Sequence, residues 1–344
     1  MKYGIIFGSK SFEHEISIVS AIAMKKVLTV QPVYIFVDKH KHFYNIPTQQ
    51  ITSKLFSSGE YKKFDKLTIK QGGFFKKSFF SETKLEFDIV LNLIHGKDGE
   101  DGIMASLLEF FDIKYVGPRV QASTISYNKI LTKQYAKYIG VKTLRFKSYK
   151  KNDNVIIDYY PAIIKPASLG SSIGVSIVKN KDELEYALDV AFEFDNEVII
   201  EPFIKNIREL NIAGAKINEK FHFSIIEEPE KDVFLDFDKK YLDFNRTTRV
   251  NKANIDEIIK QRIQEVFEMI YNKDFEGAII RCDMFIYKGE VVLNEINSIP
   301  GSYANYLFDD FNKVLDGVAN SLPKTTDIKI DYAYVNKIEN AKGK

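Results

Sequence analysis

Arg281-Cys282-Asp283-Met284-Phe285-Ile286-Tyr287-Lys288-Gly289-Glu290-Val291-Val292-Leu293-Asn294-Glu295-Ile296-Asn297-Ser298-Ile299-Pro300-Gly301 decides how this chain folds. Residues 284–287 and 291–293 are β-prone runs with Lys288-Gly289 as a tight turn between them, so the stretch reads as a hairpin followed by a glycine-bearing loop. Asp283 stands on the first strand, Glu295 and Asn297 on the second. Residues two apart on a strand point to one face. Glu295 and Asn297 therefore share a face, and strand pairing brings Asp283 near them. Hard oxygen ligands so placed suit Mg²⁺, which also takes waters and nucleotide phosphates. Arg281 projects to the same face, where an anion or developing oxyanion is its natural partner. Cys282 points the other way, to the core. The alternative is a solvated polar sheet face, which sits poorly with charges bunched among apolar residues.

Outward from the hairpin, residues 255–271 form an amphipathic helix behind Asn254, with Glu257 at the capping-box position. After Gly301 a helix runs near 305–322, and the lysine-rich tail is expected to fray. Upstream, residues 162–166 are a strand ending on Lys165-Pro166. Ala167-Ser168-Leu169-Gly170-Ser171-Ser172-Ile173-Gly174 follows, then a strand at 175–178. A small-residue loop entered from a lysine reads as a phosphate-covering flap, or else as a plain Ser/Gly hairpin turn. Asn180 with Glu183 starts another helix. Residues 197–201 are a strand, and Glu201 beside Pro202, Phe203 and Ile204 suits an adenine wedged between domains. Glu209 lies on the next strand. Residues 229–252, charged and aromatic, read as a mobile ligand-covering loop or as a solvated basic one. A helix at 127–138 carries Lys129 and closes at Gly140. Pro118 begins a second unit.

The beginning of the chain is an α/β opening: a strand at 4–7, a loop at 8–14 and a helix at 15–28. The loop lacks the G-x-G-x-x-G fingerprint, and no G-x-x-x-x-G-K-[ST] occurs anywhere. A loop at a strand's C-terminal end is nevertheless where open α/β sheets place ligands. A second strand spans 33–37, and 40–86 holds short antiparallel pieces with a turn at Gly72-Gly73. A buried strand at 88–94 runs into His95-Gly96-Lys97-Asp98-Gly99-Glu100-Asp101-Gly102, whose glycines allow close ligand approach. A helix at 102–111 follows, with Glu100 and Asp101 in its first turn. His95 alone reads as a loop-bracing histidine.

With 344 residues the chain has room for two or three domains. A net charge of +2 makes no case for nucleic acid or an anionic membrane. The one cysteine, Cys282, rules out an intrachain disulfide and a cysteine-rich zinc site. The first apolar run is too short for a signal peptide, and no run of about 18 apolar residues suggests a membrane span.

Taken together, Phe12-Glu13-His14-Glu15-Ile16-Ser17, His95 through Gly102, Lys165-Pro166 with Gly170-Ser171-Ser172-Ile173-Gly174, Lys240-Tyr241, Arg281-Cys282-Asp283 and Glu295-Ile296-Asn297-Ser298-Ile299-Pro300-Gly301 resemble the D-alanine–D-alanine ligases of the ATP-grasp superfamily. The resemblance spans nearly the whole chain. It implies a three-domain α/β ATP-grasp fold: a parallel α/β substrate-binding domain at 1–117, then two α+β domains at 118–201 and 202–344 that clamp ATP. It implies ATP-dependent joining of two D-alanines through a D-alanyl phosphate, for peptidoglycan precursors, in the cytoplasm. The partners implied are small molecules, with no nucleic acid or membrane, and the assembly a homodimer. A ligase making D-alanyl-D-lactate or D-alanyl-D-serine is the nearby alternative, and a non-catalytic ATP-binding module the more distant one.

Residue by residue, the resemblance implies that Glu13 binds the ammonium of the first D-alanine, linked to Ser171 and Tyr241, with His95 nearby. Lys129, Lys165 and Lys240 would contact ATP phosphates. Glu201, Pro202, Phe203 and Ile204 would hold adenine and Glu209 the ribose, with Phe234 and Asn294 completing the nucleotide set. Asp283, Glu295 and Asn297 would hold two Mg²⁺, or Mn²⁺. Arg281 and the Gly301 amide would stabilise the oxyanion. The chain departs from the family pattern at Ser9, where a second glycine is usual, and across 246–251. It departs again at Tyr306, which stands where a serine usually anchors the second substrate's carboxylate; a tyrosine hydroxyl would donate from a longer reach.

Overall fold

The computed structural model describes residues 1–78, 81–229, 251–324 and 328–342. Among the described residues sixteen strands build three sheets. In the first, Tyr3–Gly8 (β1), Val33–Val37 (β2), Phe43–Ile46 (β3), Lys66–Lys70 (β4), Gly73–Lys77 (β5), Glu82–Lys84 (β6), Ile89–Asn92 (β7) and Tyr115–Val116 (β8) take the order β6-β5-β4-β3-β2-β1-β7-β8. The strands β2, β1, β7 and β8 run parallel, and β3 to β6 join as an antiparallel meander. The sheet is thus mixed rather than parallel throughout, because the short pieces of 40–86 extend it instead of forming a separate layer. Its parallel strands are near-continuous apolar runs, as burial on both faces demands.

Lys147–Lys150 (β9), Ala162–Pro166 (β10), Ser176–Val178 (β11) and Glu197–Pro202 (β12) form a second sheet ordered β11-β10-β12-β9. Arg208–Ile217 (β13), Lys220–Glu227 (β14), Ile280–Tyr287 (β15) and Glu290–Asn297 (β16) form a third ordered β14-β13-β15-β16. The hairpin read from the sequence is β15–β16, and Lys288 (φ 51°) and Gly289 (φ 78°) both lie in the left-handed region, as a type I′ turn requires. Cys282 is fully buried on the core side.

Helix ends moved where side chains gave a better cap. The long helix starts at Glu257, capped by Asp256, whose carboxylate accepts from the Ile259 amide at 2.8 Å, and not behind Asn254. The 127–138 helix is two helices, Val120–Tyr127 and Lys129–Tyr138, broken at Asn128, whose side chain accepts from the Ile130 and Leu131 amides. Glu100 and Asp101 precede the helix Ile103–Phe110 rather than entering it. The tail carries a helix, Ala333–Lys342, with the Asp331 carboxylate accepting from the Ala333 amide, and so is not frayed throughout.

The largest departure follows Gly301. Instead of a helix over 305–322, the chain makes a tight segment, Gly301–Leu307, and the α-helix spans only Phe311–Asn320, capped by Asp310. Ser302, Tyr303 and Ala304 are consecutive left-handed residues, with φ of 48°, 55° and 51°. For L-residues with a Cβ this costs about 1–2 kcal/mol each, so contacts elsewhere must hold it.

Candidate functional site

A cleft of about 400 Å³ opens between the second and third sheets, lined by Lys129, Lys165, Ser171, Glu201, Arg281, Asp283 and Glu295, among others. Its floor is a cross-strand row. Register pairs Glu227 of β14 with Asn211 of β13, Asn211 with Asp283 of β15, and Asp283 with Glu295 of β16. Arg281 pairs with Asn297 one repeat along. The hairpin therefore gathers Arg281, Asp283, Glu295 and Asn297 on one face as its period-2 pattern requires. A bulge beyond Asp283 leaves Asn294 unmatched, and it too lines the cleft.

Arg281 grips Asp283 with a fork, Nε to Oδ1 at 2.7 Å and Nη2 to Oδ2 at 2.8 Å, and Asn297 Nδ2 donates to Oδ2 at 2.9 Å. Burial works against the guanidinium's charge, but Asp283 overrides it and keeps Arg281 protonated. Two of its five N–H donors serve Asp283, which leaves the others for a ligand. Among the described residues no three His, Cys, Asp or Glu side chains cluster as a metal site. The donor set here is two carboxylates with amides. It fits Mg²⁺, which takes one or two carboxylates and fills the rest with water and phosphate oxygens. Asn211 adds to the fit: its buried Oδ1, in the row beside Asp283, has no hydrogen-bond partner among the described residues.

Two lysines are arranged around one carboxylate. Glu201 is buried, with Lys133 Nζ at 2.7 Å from Oε1 and Lys165 Nζ at 2.9 Å from Oε2. Burial alone would raise the Glu201 carboxyl, but Lys165 and Lys133 hold it down to about 2. Lys133 escaped the sequence reading; it lies one helical turn after Lys129 and faces the same side. Lys129 Nζ donates to the Leu169 carbonyl on the flap loop. Glu201, Pro202, Phe203 and Ile204 all line the cleft; the Phe203 amide is spent on the Pro161 carbonyl, and Pro161 has no N–H to return to the Phe203 carbonyl.

Glu13 comes from the first sheet's loop yet meets the flap: Ser171 Oγ donates to its Oε1 at 2.5 Å. Glycine makes this approach possible from both sides. A Cβ on Gly170 would lie 2.9 Å from Glu13 Oε1, and one on Gly96 2.7 Å from Oε2. Burial, with Glu100 nearby, raises the Glu13 carboxyl above its usual range. His95 is buried 3.0 Å from Ser20 Oγ, and burial lowers it to about 4, so the ring is neutral near pH 7. Glu100, 3.6 Å from His95, is raised by burial to about 8, with Glu295 adding to the rise. It too was missed, since nothing in a glycine-rich loop shows which acidic residue turns inward. Tyr306 donates to Glu227 Oε2 at 3.3 Å, which directs its single proton to a protein carboxylate. Burial and Glu227 raise the phenol to about 12, with Arg281 opposing. Phe234, Lys240, Tyr241 and positions 246–250 lie outside the described residues.

Known proteins resemble this chain in sequence and fold. A family model described as the D-ala D-ala ligase N-terminus covers residues 2–118, and one described as the D-ala D-ala ligase C-terminus covers 133–313. A D-alanine–D-alanine ligase of Campylobacter lari is 54% identical, and one of Wolinella succinogenes 55%, each alignment covering 100% of both chains. Among solved structures, the D-alanine–D-alanine ligase from Helicobacter pylori superposes with a TM-score of 0.85 at 46% identity, covering 95% of this chain and 100% of that one. The VanG D-Ala:D-Ser ligase from Enterococcus faecalis superposes at 0.74 with 26% identity, covering 93% and 98%.

Proposed function

The chain belongs to the D-alanine–D-alanine ligase family, and we infer that it joins two D-alanines into D-alanyl-D-alanine with ATP as co-substrate. The observation that carries this reading is the Glu13–Ser171 bond, which ties the first sheet's ligand loop to the flap of the nucleotide cleft. Domains at 1–117, 118–201 and 202–344 are supported by there being one sheet for each, although Pro202 of β12 falls one residue past the second bound. Asp283, Glu295 and Asn297 would hold a divalent cation, which when bound would neutralise phosphate charge. No helix of the described residues is long and apolar enough to cross a membrane. Membership of the family supports a role in peptidoglycan precursor synthesis, and we propose that the chain works in the cytoplasm as a homodimer.

Glu13 holds the ammonium of the first D-alanine, so that molecule presents its carboxylate and not its amine. A carboxylate oxygen attacks the γ-phosphorus while the bond to ADP breaks, with Lys129 and Lys165 drawing the phosphates into line. The unprotonated amine of the second D-alanine then attacks the acyl carbon of the resulting D-alanyl phosphate, the carbon–oxygen bond to phosphate breaks, and the nitrogen gives one proton to the departing phosphate or to solvent. The remaining N–H groups of Arg281, which lines the cleft, and the Gly301 amide would donate to the oxygen where charge develops. The flap keeps water from the acyl phosphate.

Incubation with ATP, Mg²⁺ and D-alanine, alone or with D-lactate or D-serine, tests the reading by product analysis. D-Alanyl-D-alanine is expected as the main product near neutral pH, with output rising toward alkaline pH as more of the second amine is unprotonated. Dominance of D-lactate over D-alanine at pH 7 to 8 would overturn it. Glu13→Gln removes a charge-assisted bond of ~1.5–3 kcal/mol, so the first-site constant should rise by ~10–150-fold with ATP affinity nearly constant. Weakened ATP binding at an unchanged first site would show Glu13 misplaced.

A further inference from the structure

We propose that Tyr303 and Ser20 are positioning residues: they pin the left-handed turn Ser302–Ala304 to the first sheet's unit and so aim the Gly301 amide at the reacting carbonyl. This inference rests on the oxyanion role given above to Arg281 and Gly301.

The turn is buried throughout, and its backbone is one that residues with a Cβ leave when free to do so. Local bonds hold part of it, the Tyr303 amide donating to the Pro300 carbonyl at 2.8 Å and Asn305 Nδ2 to the Ser302 carbonyl at 3.0 Å, and the others come from the first sheet's unit. The Tyr303 hydroxyl donates to the Asn92 carbonyl at 2.8 Å, with the Val116 carbonyl 3.1 Å away. These carbonyls close the C-terminal ends of β7 and β8, where the parallel ladder stops and leaves acceptors to be satisfied. The Ser302 amide donates to Ser20 Oγ at 3.3 Å, and the Ser302 hydroxyl to the Ser20 carbonyl at 3.4 Å. Ser20 Oγ is also the neighbour of His95 Nε2. Ser20 sits on the helix His14–Val27, which begins directly after Glu13. One hydroxyl thus joins the first-substrate histidine to the turn that follows Gly301. The array Glu100, His95 and Ser20 resembles a nucleophilic triad in residue types, but Ser20 is fully buried, so its hydroxyl serves position and not attack.

The consequence is a reaction geometry set across units. Oxyanion donors must lie within tenths of an ångström of the developing charge, and a misplacement near 1 Å costs about 10²-fold in rate. Tyr303 fills core space as well, so the test must separate the hydroxyl from the ring. Tyr303→Phe keeps the ring. It is expected to lower kcat ~10–100-fold while KM for ATP stays within about twofold of the parent. Ser20→Ala removes the second pin and is expected to act in the same direction, less strongly. The decisive variant is Tyr303→Phe with Ala304→Gly. Glycine accepts the left-handed backbone without steric strain, so the unpinned turn keeps its shape and kcat should recover to within about threefold of the parent. A residue that only filled the core would show no such rescue. Unchanged kcat in Tyr303→Phe, or a loss that Ala304→Gly does not restore, overturns the proposal. Arg281→Met, measured alongside, separates the two layers. If it leaves kcat intact, the oxyanion reading itself fails; if it abolishes kcat while Tyr303→Phe is silent, the pinning alone fails.

Discussion

Arg281→Met is expected to lower turnover about 10²–10³-fold, the size seen when one oxyanion donor is removed from an enzyme site. Arg281 is fixed before any ligand arrives: its fork on Asp283 sets the plane of the guanidinium and leaves the remaining N–H groups in a known direction. The substitution also strips Asp283, which is 3% exposed, of its cation, and an uncompensated buried charge costs about 3–5 kcal/mol. Melting temperature must therefore be read beside kcat. Arg281→Lys separates the effects, since it keeps a positive charge near Asp283 but loses the planar fork. We expect it to retain most stability and little turnover. Full turnover in Arg281→Lys would mean that charge alone matters and the fork does not.

Glu295→Gln should lower turnover at least ~100-fold at saturating ATP, because charge neutralisation at a transferring phosphoryl group is worth several kcal/mol. The side chain keeps its shape, so packing is conserved and only a charge is lost. That charge acts twice. It stands opposite Asp283 in the donor set. It also favours the protonated form of Lys129, Lys133 and Lys165, all of which burial disfavours. Turnover followed against Mg²⁺ concentration should show a weaker metal requirement curve as well as a lower plateau. Near-wild-type turnover in Mg²⁺ would remove Glu295 from the metal set.

What the sequence disclosed and what it withheld divide along a physical line. The hairpin was legible because strand periodicity is two and the turn pair Lys288-Gly289 fixes the register. Once register is known, Arg281, Asp283, Glu295 and Asn297 must meet. Asn211 was within reach of the same logic, two residues after Glu209 on one strand, but its importance appears only when β13 is placed beside β15. Lys133 needed knowledge that Glu201 turns inward from β12. The turn at Ser302–Ala304 was not legible at all. Serine, tyrosine and alanine carry no left-handed preference, and the carbonyls that hold them lie on strands near residues 92 and 116.

That separation has a consequence for how the chain is made. Tyr303 bonds a carbonyl 211 residues earlier, and Tyr3 reaches Asp316 through its hydroxyl. At a synthesis rate of about 5–20 residues per second, the first sheet leaves the ribosome roughly 10–40 s before the segment that completes its carbonyl edge. For that interval the ends of β7 and β8 are satisfied by water alone, and Tyr3, Leu91 and Val116 still lack core partners such as Tyr303, Leu315 and Val318. Folding of this enzyme closes on its last third, so a stalled or prematurely released chain exposes the ground on which the active site is to be assembled.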